Sequence, residues 1–348
     1  MYTRRSVRFG IVVRFGWRTV LLSCAWATLA VCIHLFFESR GIDFSLPIAP
    51  ISTIGVAVAF YVGFKNSQSY DRLWEGRKIW GGIVNVSRAW SNQVISFVSA
   101  HHCPDPIDEA SIDEASIDES SVKAIHRSMI YRHIAWINVL RFQLRRKTPW
   151  SFIPKRSAES LMQDTDLESM KKQIAGLIDQ EECDAICSQA NAATQLLRWQ
   201  SEELKRVVEK DRFAEEFRLI AMMNLITEMY TLQGKCERIK NTPFPRQYAF
   251  FSAVFVFIFI GLIPFGIVGE MAERGSLMIW LTVPISAVIS WIFWTMEAVG
   301  DSSEDPFENF INDVPMTALC TTIEVDLRQM LGESDVPEPI KPISDILM

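Results

Sequence analysis

The sequence has no CxxC pair, although seven cysteines (Cys24, Cys32, Cys103, Cys183, Cys187, Cys236 and Cys320) are spread along its 348 residues. Zinc sites need tight Cys and His clusters and disulfide frameworks need paired spacings, so all seven read as reduced and structural. A phosphate-cradling glycine loop, GxGxxG, HExxH, GxSxG and an EF-hand loop are all missing. The chain is therefore expected not to be an enzyme and to take no cofactor or metal. A basic excess is missing too. The net charge of −6 leaves no broad basic excess to neutralise phosphates and argues against nucleic acid as a partner. Repeats among the apolar runs and intramembrane charges in interrupted spans, the signs of many secondary transporters, are not evident either.

What is present is apolar sequence in long runs. Residues of hydrophobic type make up 49% of the chain, yet its mean hydropathy is only +0.12. That balance predicts a protein roughly half in the membrane and half outside it. Residues 46–64, LPIAPISTIGVAVAFYVGF, run for 19 positions without a charge and then break into KNSQSYDRLWEGRKIW. As a helix this run rises about 28 Å, enough to span a hydrocarbon core. Gly55, Ala57, Ala59 and Gly63 permit close helix approach. Val56, Phe60 and Phe64 recur at four-residue spacing and share one face, either as a ladder around an axis or as an ordinary lipid-facing or packed stripe.

Three further runs complete a membrane topology. Five arginines and no acid occupy residues 1–18, a cytoplasmic segment (1–19) ahead of a first span at 20–37. That span ends in HLFFESR rather than in a small-residue cleavage site, so it is read as a helix and not as a signal peptide. Spans three and four follow at 248–269 and 277–299, with Pro264 and Pro284 as tolerable kinks. Four spans put both termini and every basic cluster on the cytoplasmic side, as expected for an inner-membrane protein surrounded by lipid. Glu297, the lone acid inside a span, is placed near the cytoplasmic end, within reach of water.

The predicted organisation is all-α: transmembrane helices at 20–64 and 248–299, a cytoplasmic helical domain at 65–247 and a cytoplasmic tail at 300–348. Within the domain, 79–99 reads as a buried helix, since Asn85, Arg88, Asn92 and Gln93 interrupt its apolar pattern. Residues 101–121 carry an acidic repeat, IDEAS-IDEAS-IDESS, that reads as a solvated loop. No metal role is assigned to His101, His102 and Cys103 before it. A helix is expected from about 121, with Ile130, Ile134, Ile137 and Leu140 on one side, and a polar break at 148–166 contains Pro149 and Pro154. Helices are predicted at 166–190, 190–210 and 212–239, the last stopped by Pro243-Phe244-Pro245. His126 and His133 are read as packing or hydrogen-bonding residues.

Four stretches carry a more specific signal: FYVGFKNSQSYDRLWEGRKIWGGIVNVSRAW (60–90), IYRHIAWINVLRFQLRR (130–146), GKCERIKNTPFPRQYAFF (234–251) and EDPFENFINDVPMTALCTTIEVDL (304–327). Together they resemble the bestrophin family, in particular its bacterial branch; the acidic repeat lies outside the resemblance. The resemblance implies a homo-oligomer, a pentamer, conducting inorganic ions through one central pore. It implies an apolar neck at three positions ahead of an Arg-aromatic motif. Counted back from Arg72-Leu73-Trp74, those positions are Val56, Phe60 and Phe64, the same ladder that periodicity selects. It also implies a second, cytoplasmic aperture. Alignment through Glu228, Met229 and Cys236 places this at Ile220, whereas a three-residue slip would nominate Phe217, and a plain core isoleucine is the alternative. Animal members carry a consecutive acidic run for calcium after the Pro-Phe motif. Here the segment is Asp305-Pro306-Phe307-Glu308-Asn309-Phe310-Ile311, with scattered acids, so no calcium gating through it is expected. The permeant ion stays open. The family points to chloride, bacterial members to anions or monovalent cations, and a non-conducting assembly protein is the remaining reading.

Overall fold

The computed structural model describes residues 1–4, 9–99, 119–149, 167–209, 214–343 and 345–347. The IDEAS repeat, His101, His102, Cys103 and the polar break around Pro154 lie outside the described residues. Among the described residues the helices are α1 (Phe9–Glu38), α2 (Ile48–Phe97), α3 (Glu119–Arg145), α4 (Leu167–Ile174), α5 (Gln180–Cys187), α6 (Ala192–Glu209), α7 (Glu216–Asn241), α8 (Arg246–Ala272), α9 (Thr282–Asp301) and α10 (Met316–Met330). β-Structure there is confined to isolated bridging pairs. The chain forms two compact units, one of residues 4–73 and 243–305, the other of 1–3, 74–242 and 306–348.

In the first unit, α1, the N-terminal part of α2, α8 and α9 pack together. These four helices are long and apolar enough to cross a membrane. Ile51, Val58 and Val62 of α2 bury against Val256, Phe259, Ile263 and Ile267 of α8. Gly55 makes that approach possible, because a Cβ there would stand 2.7 Å from the Phe259 ring. Gly63, by contrast, faces open space. Pro284 sits in the first turn of α9, where its missing N–H costs no hydrogen bond, whereas Pro264 is internal to α8.

The expected break after residue 64 does not occur. The run at 46–64 and the helix at 79–99 are parts of one 50-residue helix, α2. The charged stretch between them contains no proline and is rich in Lys, Arg and Glu, all good helix formers, so a change of polarity does not end the helix. At about 1.5 Å per residue α2 rises about 75 Å, more than twice a hydrocarbon core. Gly76, within that stretch, abuts Pro306 and Phe307, which a Cβ would meet at 3.2 Å.

The second unit is built around α3. Ile130, Ile134, Ile137 and Leu140 are buried as expected, but so are Met129, Ala135, Trp136, Val139 and Phe142, so α3 is enclosed on all sides from Met129 to Phe142, while its first turns stay largely exposed. Two of its buried polar side chains have clear partners: Arg132 pairs with Glu182 at 2.8 Å and with Glu203, and Trp136 Nε1 donates to Gln233 Oε1 at 2.9 Å. The single helix expected at 166–190 is two, α4 and α5, split where Gly176 adopts φ +86°. Helix α10 falls in the 300–348 segment, to which the sequence patterns assign no element.

His126 and His133 serve the packing of this unit. His126 Nε2 lies 2.7 Å from the Val98 carbonyl, and His133 Nε2 lies 2.8 Å from Ser87 Oγ. Burial pushes the His133 imidazole down to about 3, against about 6.5 in the unfolded chain. Between those values the unfolded chain binds a proton that the folded chain refuses. The contribution of His133 is therefore complete above about pH 6.5 and is lost as pH falls toward 3, by at most about 1.4 kcal/mol per pH unit. Denaturant unfolding between about pH 6.5 and 4 should show a shallower loss of stability in His133→Gln than in the native chain. Parallel slopes would contradict this account.

Candidate functional site

The ladder lies on the face of α2 opposite the one that packs on α8. Val56, Phe60 and Phe64 are 72, 79 and 51% exposed, and successive rungs are about 6 Å apart along the axis. Packing within the chain therefore does not account for them. Thr53 lies on the same face before them, and Ser67 and Asp71 after them, all exposed.

The next residue turns the other way. Lys65 is only 1% exposed. Its Nζ donates to Glu297 Oε1 at 2.5 Å and to Asp301 Oδ1. Glu297 accepts at its second oxygen from Ser252 Oγ, 2.6 Å away, and Asn66 Nδ2 donates to the Met296 carbonyl at 2.9 Å. Gly300 leaves room for this amide, since a Cβ there would collide with Asn66 Oδ1. Two turns on, Arg72 lies 3.7 Å from Asp305. Consecutive helical residues point about 100° apart, so with Lys65 held inward Phe64 stays outward. Turning α2 to bury Phe64 would pull Lys65 off its carboxylates.

This corrects the expectation for Glu297. The side chain is buried rather than open to water, and it is the counter-charge of Lys65. Nothing in the local sequence pairs residues 232 positions apart. The one available signal was a lysine ending one apolar run and an acid inside another, opposite charges each needing a partner.

On α7, Ile220 is exposed, which excludes the plain core reading, and Phe217, one turn earlier on the same face, is more exposed still. The geometry of the chain does not choose between them. The ladder and Ile220 belong to different units. The acids of the 304–308 stretch each face a base: Glu304 receives Arg246 at 2.8 Å, Asp305 lies near Arg72, and Glu308 receives Lys240 at 2.5 Å. Burial pushes the Glu304 carboxyl above its ordinary range. Among the described residues no three His, Cys, Asp or Glu side chains converge to hold a metal ion. Chemically the ladder offers neither ligands nor proton carriers, only an apolar wall.

Removing one partner from a buried ion pair costs about 3–5 kcal/mol. Because Asp301 is half-exposed, Lys65→Met should destabilise the chain by about 3 kcal/mol, the low end of that range. Lys65→Met combined with Glu297→Gln should recover part of the loss in denaturant titrations. A cost near zero for the single variant would show that the pair does not hold α2.

Comparison with known proteins bears on these features. The family model for "Bacterial/Fungal Bestrophin protein" matches residues 5–329. The voltage-dependent anion channel-forming protein YneE of Salmonella typhi is 27% identical over 311 residues, covering 89% of this chain and 85% of that protein. A voltage-dependent anion channel-forming protein of Synechocystis is 24% identical, covering 94% and 93%. Among solved structures, a bacterial bestrophin homologue from Klebsiella pneumoniae superposes with a TM-score of 0.72 at 25% identity, over 90% of this chain and 98% of that one.

Proposed function

Because the chain belongs to the bacterial and fungal bestrophin family, we propose that it is an anion channel. In this reading five copies surround one pore, and the exposed faces of their α2 helices turn toward its axis. The observation that carries the reading is the exposure of Val56, Phe60 and Phe64 beside an inward-locked Lys65. Three apolar rungs held outward by a buried charge pair suit a neck better than a stripe free to rotate toward lipid. The names of the Salmonella and Synechocystis relatives support anions as the permeant species. Such a neck replaces no hydration shell; it closes by dewetting and opens by modest widening. Phenylalanine edges carry the positive part of the ring quadrupole, so rings turned edge-on favour anions.

The same reading puts the protein in the inner membrane with both termini cytoplasmic. The membrane helices are those of 20–64 and 248–299, while 65–247 and 300–348 lie on the cytoplasmic side. The arginine-rich N-terminus and the short, sparsely basic connections at 39–47 and 273–277 support this orientation. Ile220 serves as a second constriction, and no calcium gating runs through the 305–311 segment. One observation favours a cation pathway instead. Asp71 is exposed seven residues after Phe64 on the same face and would form a ring of carboxylates in a pentamer.

Reconstituted in planar bilayers, Phe60→Ala with Phe64→Ala should raise open probability or conductance several-fold, because two aromatic rings leave the neck. Unchanged currents from a correctly assembled double variant would remove the ladder from the gate. In the same recordings Ile220→Ala should alter the relative permeability of large and small anions. Unaltered ratios would leave Ile220 without a role in the pore.

A further inference from the structure

Two cysteines of the second unit touch each other. Cys183 and Cys187 stand one turn apart on α5, so their side chains leave the same face of the helix with Cβ atoms about 5–6 Å apart. Both are free thiols, and the Cys187 thiol is hydrogen-bonded to Cys183. Cys183 is buried in the apolar core that also holds Met170, Ile174 and Ile186, whereas Cys187, the last residue of the helix, is half-buried and gives solvent a way to the pair. The other four described cysteines lie on α1, α7 and α10.

A second observation concerns charge. Lys171 of α4 pairs with Asp184 of α5, Nζ to Oδ1 2.9 Å, and its ammonium is near enough to both sulfurs to act on them electrostatically. A cation is thus held beside two groups that are neutral as thiols. It would offset the negative charge that two thiolates around one monovalent ion leave behind.

The ligand count selects the ion. Among the described residues no three His, Cys, Asp or Glu side chains converge. Zinc, which takes four ligands, and hard cations, which take six or more oxygens, are therefore not served. A soft ion content with two sulfurs is served. We propose that Cys183 and Cys187 bind one copper(I) ion as a linear bis-thiolate. Two S–H bonds break, two copper–sulfur bonds form, both protons go to solvent and copper stays monovalent. Cys187 takes the ion from solution and Cys183 closes the pair. Two metal–sulfur bonds of about 2.3 Å span about 4.6 Å, which side chains one helical turn apart can bridge. Occupancy is read without any current, so the proposal does not depend on conduction.

The test is titration of the full chain in detergent, reduced and free of oxygen, against the coloured copper(I) complex of bicinchoninate. Loss of colour equivalent to one copper per chain is expected. Cys187→Ser should bind at least a hundredfold more weakly (about 2.8 kcal/mol), and its half-exposed position should let it fold. Cys183→Ser should behave likewise, and if that buried variant fails to fold, Cys187→Ser still decides. X-ray absorption of the loaded chain should show copper surrounded by two sulfurs. No loss of colour, equal withdrawal of copper by Cys187→Ser, or a copper shell containing nitrogen or a third sulfur would each overturn the proposal. A silent channel that still withdraws one copper would count against the conduction reading alone.

Discussion

A charged amine cannot stay out of water without a counter-charge, and the position of Lys65 makes that rule govern the first unit. Its ammonium is buried and satisfied by Glu297 and Asp301, while Glu297 is steadied by Ser252. The pair adds little net stability by itself, since desolvation offsets most of the attraction. What it adds is orientation. Of all rotations α2 could take on an apolar partner, one matches Lys65 to α9, and that one leaves Phe64, Phe60 and Val56 outward. Apolar packing of Val58 and Val62 on α8 supplies affinity but discriminates weakly between neighbouring rotations. The ion pair discriminates between them.

The four apolar runs were legible because lipid-spanning helices announce themselves by length and composition, which are local properties. The ladder was legible for the same reason: a four-residue spacing of Val56, Phe60 and Phe64 is read from one helix alone. The continuity of α2 was not, because the polarity change at Lys65 looks like an end. Only the absence of proline between 65 and 78 argued otherwise. The Lys65–Glu297 pair was not legible either, since pattern within one helix says nothing about which distant helix it meets. The same limit applies to α3, where the expected apolar stripe proved to be one part of a stretch, Met129 to Phe142, enclosed on every side. The division of 166–190 into α4 and α5 rests on one glycine at positive φ, a backbone state that its apolar neighbours Ile174, Ala175, Leu177 and Ile178 do not advertise.

Charge is distributed unevenly around the proposed pathway. The ladder holds none, so in the proposed channel it would set a barrier to every ion and a preference for few. Asp71 on the same face would repel anions. Phenylalanine edges would attract them. In the proposed channel selectivity therefore rests on ring orientation at the neck rather than on net charge.

The measurement that bears most directly on this account is the reversal potential of the purified chain in a planar bilayer under a sodium chloride gradient. The account predicts a value close to the chloride equilibrium potential. A value close to the sodium potential would contradict it and transfer selectivity to Asp71 and the ring faces.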